Sequence, residues 1–123
     1  EINEFCKAGG AGFKKAIGKG LEFYSREQFF PDGKAKWRLP QEWPVDVHNQ
    51  AQGIITFSRF SDFDPSYREQ AERIAAYTIR NMQAKDGHFY HQVHKRYKIK
   101  IPYMRWSQAW MMLALSTLLN KTG

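Results

Sequence analysis

From Phe13 onward, apolar residues recur at helical spacing. Phe13, Ile17, Leu21 and Tyr24 share one side with Gly20, while Lys14, Lys15, Lys19 and Glu22 lie elsewhere, the period of an amphipathic helix. This first helix is expected to end near Phe29, where Pro31-Asp32-Gly33 makes a turn. Residues 31–45 read as a long connector marked by Pro31, Gly33, Pro40 and Pro44. A second helix, carrying Val47, Ala51, Ile54, Ile55 and Phe57, is predicted from about Asp46 to Phe60. After a short link at 61–64, a third runs from about Pro65 to Ala84. Either Asp64 or Ser66 suits its N-cap, with Pro65 at the first position if Asp64 is the cap. Asp86-Gly87 stops it, and a polar, basic connector follows at 88–102. Within that connector, Tyr97-Lys98-Ile99-Lys100-Ile101 alternates with period two and suits a short strand. A fourth helix, about Tyr103 to Asn120, is apolar around much of its circumference, as buried helices are. At the N-terminus, Ile2, Phe5 and Cys6 suit a helical face, but Gly9, Gly10 and Gly12 weaken it.

The pattern is duplicated. Glu27-Gln28-Phe29-Phe30-Pro31-Asp32-Gly33 leads to Trp37, and Asn81-Met82-Gln83-Ala84-Lys85-Asp86-Gly87 leads to Phe89. Asn49-Gln50-Ala51-Gln52 near the start of the second helix pairs with Ser107-Gln108-Ala109-Trp110 near the start of the fourth. Gly87 lies 54 positions after Gly33, and Gln108 lies 58 after Gln50. The unit is therefore helix, long loop, helix, short link, about 55 residues in all. Hairpin one covers about 11–61 and hairpin two about 64–121, within one domain of residues 1–123. Stacked hairpins complete each other's cores, and units of inner and outer helices close into a ring. The expected fold is all-α: two helical hairpins, four main helices, forming part of an α/α toroid. Both long loops lead into the start of a second helix, so they should emerge on one side, opposite the link at 61–64.

Composition adds three constraints. The 123 residues are 42% hydrophobic and 25% charged, which fits a globular chain rather than a disordered one. No apolar run reaches the roughly 20 residues of a membrane span. The single cysteine, Cys6, excludes an intrachain disulfide and fits a reducing compartment, so the cytoplasm is the expected location. A net charge of +7 favours anionic partners.

Two stretches carry a resemblance. Pro44-Val45-Asp46-Val47-His48-Asn49-Gln50-Ala51-Gln52-Gly53-Ile54-Ile55-Thr56 is similar to a motif of bacterial polysaccharide-biosynthesis proteins of the VpsJ type. So is Asp86-Gly87-His88-Phe89-Tyr90 followed by Ile101-Pro102-Tyr103-Met104-Arg105-Trp106-Ser107-Gln108-Ala109-Trp110. The resemblance spans roughly residues 13–120. It implies an α/α toroid akin to six-hairpin glycosidases and terpenoid-cyclase-like rings, of which this chain is the C-terminal part, and a link to exopolysaccharide production. It implies no particular reaction.

Candidate chemistry gathers at the expected rim. Asp46 and His48, two residues apart at a helix start, suit contact with a substrate hydroxyl or proton, although an N-cap role alone explains Asp46. Arg105 suits a bidentate clamp on a carboxylate. Tyr103 and Trp106 suit stacking on sugar rings, while Trp106 and Trp110 also fit core packing. Asp32 and Asp86 are explained by their turns, and no carboxylate pair is specific enough to be named catalytic. His88, His91 and His94 are spaced by three without a cysteine, and an extended segment would throw alternate residues to opposite faces, so no metal and no cofactor is expected. The leading expectation is a carbohydrate-active domain binding a glycan, neutral or anionic, through Asp46, His48, Tyr103, Arg105 and Trp106. The alternatives are a protein-interaction module using the apolar helix face, toward the rest of a ring or a second copy, and nucleic-acid binding through the basic run 94–100, which lacks any recognised nucleic-acid motif.

Overall fold

The structure, a computed structural model, describes residues 11–122. The expectations at Ile2, Phe5, Cys6, Gly9 and Gly10 lie outside these. Among the described residues four helices dominate: α1 (Ala11–Gln28), α2 (Val47–Arg59), α3 (Pro65–Met82) and α4 (Trp110–Thr122). A π-helical stretch, Met104–Ala109, leads directly into α4. Three two-residue strands, β1 (Val45–Asp46), β2 (Gln92–Val93) and β3 (Lys98–Ile99), form an antiparallel sheet in the order β1-β2-β3. The chain is thus mostly helical, with a small sheet that the all-α expectation omitted. No helix among the described residues is long and apolar enough to cross a membrane.

Helix starts follow local chemistry. Asp46 caps α2, its carboxylate accepting the His48 N–H at 2.8 Å. Asp64 caps α3 through the Ser66 N–H at 2.9 Å, with Pro65 in the first turn where no backbone donor is needed. That hydrogen bond holds the Asp64 carboxyl below its usual range.

α2 sits between α3 and α4, which pack on its two sides. Val47, Ala51, Ile54 and Phe57 are fully buried along it, against Ala71 and Ile74 of α3 and Met111 and Ala114 of α4 in one core. α1 joins through an aromatic cluster. Tyr24 stacks on Phe57 at 5.3 Å and meets Phe29 edge-on at 5.1 Å, and burial pushes its hydroxyl up to about 12. Far from the sheet, Lys121 near the end of α4 pairs with Asp62 in the short link at 3.6 Å.

The duplication is repeated bond for bond. Phe29 bridges Ala35, and Gln83 bridges Phe89. The Gly33 N–H donates to the Phe30 carbonyl and the Gly87 N–H to that of Ala84, both at 3.0 Å. The Lys36 N–H reaches the Gln28 carbonyl and the Tyr90 N–H that of Met82. Asp32 accepts from the Lys34 N–H and Asp86 from that of His88. Gly33 and Gly87 have φ of 98° and 99°, where an L side chain is strained. All these pairs keep the offset of 54. They correct one expected equivalence: the counterpart of Phe89 is Ala35, and Trp37 is the counterpart of His91.

Each turn is then clamped by a glutamine from the next helix. Gln50 accepts from the Ala35 N–H at 2.6 Å and donates to the Gly33 carbonyl at 3.1 Å and the Thr78 hydroxyl at 2.9 Å. Gln108 accepts from the Phe89 N–H and donates to the Phe89 carbonyl, both at 2.8 Å. One amide can accept from a turn N–H and donate to a turn carbonyl at the same time, which suits Gln to both places.

Candidate functional site

The sheet decides how the two long connectors lie. β1, at the end of the first, pairs with β2 in the second, Val45 opposite Val93 and Asp46 opposite Gln92. The Val47 N–H donates to the His91 carbonyl at 3.0 Å. Both connectors therefore meet on one side, beside the start of α2. The start of the π-helical stretch belongs to the same neighbourhood: the Tyr103 ring meets that of His91 edge-on at 4.8 Å, and Ser107 Oγ lies 3.3 Å from His91 Nδ1.

Asp46 is buried within this junction. One carboxylate oxygen caps α2, and the other accepts from Gln92 Nε2 at 2.7 Å. Both oxygens are thus engaged inside the protein, and the residue acts as a brace between the connectors. His48 is half-buried. Its ring lies 4.8 Å from that of Trp110, and its Nε2 lies 3.3 Å from Gln52 Nε2.

The network continues outward. Since Gln92 gives its amide nitrogen to Asp46, its oxygen is left to accept, and His94 Nε2 stands 2.8 Å from it. That assigns the proton to His94 Nε2. The His94 ring stacks on Tyr97 at 4.2 Å with an interplanar angle of 9°. Gln92 is the residue that sequence reasoning missed. A lone glutamine in a polar loop carries no signal until its partner, 46 positions away, is known.

Tyr103, Arg105 and Trp106 are exposed, Trp106 to 55%. Arg105 lines an apolar groove of about 540 Å³ with Met104, Gln108, Ala109 and Met112. The π-helical geometry, in which the Gln108 N–H reaches back to the Tyr103 carbonyl at 3.1 Å, sets these side chains on the surface. Such stretches are frequent at functional sites.

The histidines of the second connector serve different partners. His88 Nδ1 lies 2.5 Å from Asp86. The His88 N–H, with its ring, holds the Asp86 carboxyl below the usual carboxylate range. His91 faces Ser107 and Tyr103, and His94 faces Gln92 and Tyr97. Among the described residues no three His, Cys, Asp or Glu side chains gather as metal ligands.

A second concavity, about 520 Å³, opens between Trp43 of the first connector and the β2–β3 hairpin. Lys95, Arg96, Lys98 and Lys100 contribute to its wall. No protein-family model matches the chain, and no curated protein matches it.

Proposed function

We propose that the two hairpins are consecutive units of an α/α toroid of the VpsJ-like, polysaccharide-producing kind, and that a glycan binds at the rim where the connectors meet. One observation carries this reading. The connectors are tied together by the β1-β2-β3 sheet beside the start of α2, and Tyr103, Arg105 and Trp106 stand exposed next to that junction. Aromatic faces suit sugar rings, and a guanidinium suits hydroxyl or carboxylate oxygens. Asp46 and His48 would act behind this surface, holding the frame rather than the sugar.

The test is affinity electrophoresis of the whole chain through gels containing soluble polysaccharides. Tyr103→Ala, Arg105→Ala and Trp106→Ala should each reduce retardation about tenfold. Stability should fall by no more than about 1–2 kcal/mol, since all three side chains are exposed and Tyr103 loses only its edge contact with His91. A wild-type chain that no polysaccharide retards would remove the reading.

A second reading, a helical-repeat interaction module, is favoured by the register of the repeat. At the offset of 58, Ile54 and Ile55 of α2 correspond to Met112 and Leu113 of α4. The former are 0% and 8% exposed, the latter 70% and 44%. A further hairpin would cover this face in a ring, and a second copy could cover it in solution. Light scattering over a concentration series should then find a dissociating dimer that Met112→Asp abolishes. A strict monomer at every concentration counts against it.

A further inference from the structure

We infer that the concavity between Trp43 and the β2–β3 hairpin is a subsite for a carboxylated sugar unit, an extension that rests on the glycan reading above. The hairpin that forms it is held rigid from behind. Its tip closes through the His94 N–H on the Tyr97 carbonyl at 2.7 Å and through the His94–Tyr97 stack. Gln92 joins that tip to the Asp46 brace, so His94, Gln92, Asp46 and the start of α2 form one hydrogen-bonded series. A binding surface that is ordered in advance loses less freedom when its ligand arrives.

The charge on this surface is uncompensated. Lys95, Arg96, Lys98 and Lys100 lie within six residues, all exposed, and none has a carboxylate within ion-pair distance among the described residues. Lys34, by contrast, is paired with Glu42 at 2.5 Å. Four cations around one pocket, none with a carboxylate partner among the described residues, call for an anionic ligand. Its volume of about 520 Å³ falls in the range of small-ligand sites, which favours a few sugar rings over a duplex.

The aromatic residues distinguish the ligand further. Single-stranded nucleic acid gains affinity by stacking successive bases on open rings. Here Tyr97 is the one exposed aromatic ring lining the pocket, at 60%, and His94 already covers one of its faces, while Trp43 is half-buried. Lys98 and Lys100 sit over Tyr90 at 5.5 and 5.6 Å, and Lys34 sits over Trp43 at 3.8 Å. What the pocket offers is N–H donors and positive charge. A chain of hydroxyls with a carboxylate on each ring uses both.

The experiment titrates the whole chain, by calorimetry at low salt, with three probes: oligogalacturonate, its fully methyl-esterified form and oligo(dT) of similar charge. Oligogalacturonate should bind at least tenfold tighter than its ester. The double variant Arg96→Glu/Lys98→Glu should lose that advantage, and its melting temperature should be unchanged. Equal binding of acid and ester, an unaffected double variant, or tighter binding of oligo(dT) each overturns the proposal. If acid and ester bind equally and both are lost in Trp106→Ala, the rim reading survives and the acidic subsite does not. Should neither saccharide bind, the acidic subsite falls, and the rim reading is decided by the electrophoresis above.

Discussion

Replacing Gln50 with alanine is expected to remove about 3–5 kcal/mol of stability, most of what a domain of this size has. The side chain is fully buried and makes three hydrogen bonds, to the Ala35 N–H, the Gly33 carbonyl and the Thr78 hydroxyl. Thr78 keeps its bond to the Ile74 carbonyl at 2.8 Å, but the two backbone groups of the turn are left without a partner. Each buried group so stranded costs about 1–3 kcal/mol, and the cavity adds to it. Gln108 is the internal control. It performs the same task on Phe89 but is only half-buried, so water can replace it, and Gln108→Ala should lose about 1–2 kcal/mol. Urea denaturation of the two variants measures the difference. Equal losses would mean that burial does not govern the clamp.

The second large effect is expected at Gly33. Both turn glycines have positive φ, so alanine is strained at either place by about 1–2 kcal/mol. The surroundings differ. A methyl group at Gly33 would stand 2.7 Å from the Arg73 carbonyl carbon and 2.9 Å from Ile74 Cα, backbone atoms of α3 that cannot swing aside. At Gly87 nothing lies within 4 Å. Gly33→Ala should therefore cost about 3–5 kcal/mol in total, overpacking adding to strain, whereas Gly87→Ala should show the strain alone. Thermal melts of the pair decide it, and similar shifts would argue that α3 moves away freely.

These contrasts also show where the sequence is informative. Helical period and cap chemistry located α2 and α3 to within a residue or two, because Asp46 and Asp64 act on neighbours two positions away. The duplication was visible for the same reason: an Asp-Gly turn is a local object. The sheet was only half legible. Alternation from Tyr97 to Ile101 marked β3, but β1 and β2 have two residues each, too short for any period. Trp37 and Phe89 resemble each other as aromatics after a turn, whereas the bridges Phe29–Ala35 and Gln83–Phe89 make Ala35 the counterpart of Phe89. The π-helical stretch shares its composition with an ordinary helix, so the pattern left Trp106 suited both to an open rim and to core packing, and its 55% exposure removes the core role. Asp46 looked equally suited to capping and to ligand contact until Gln92, distant in sequence, took its second oxygen.

The two connectors contain the same small hairpin at different lengths. In the first, the Trp37 N–H meets the Glu42 carbonyl; in the second, the His91 N–H meets the Ile99 carbonyl, three residues further along. The extra chain grows from the free tip, away from the glutamine clamps. The second hairpin is therefore the longer of the two, and its tip carries Lys95 and Arg96. In a gene made by duplication, that tip is the place where insertions are tolerated first, and where related proteins should differ most in length and charge while the turns beneath them stay alike.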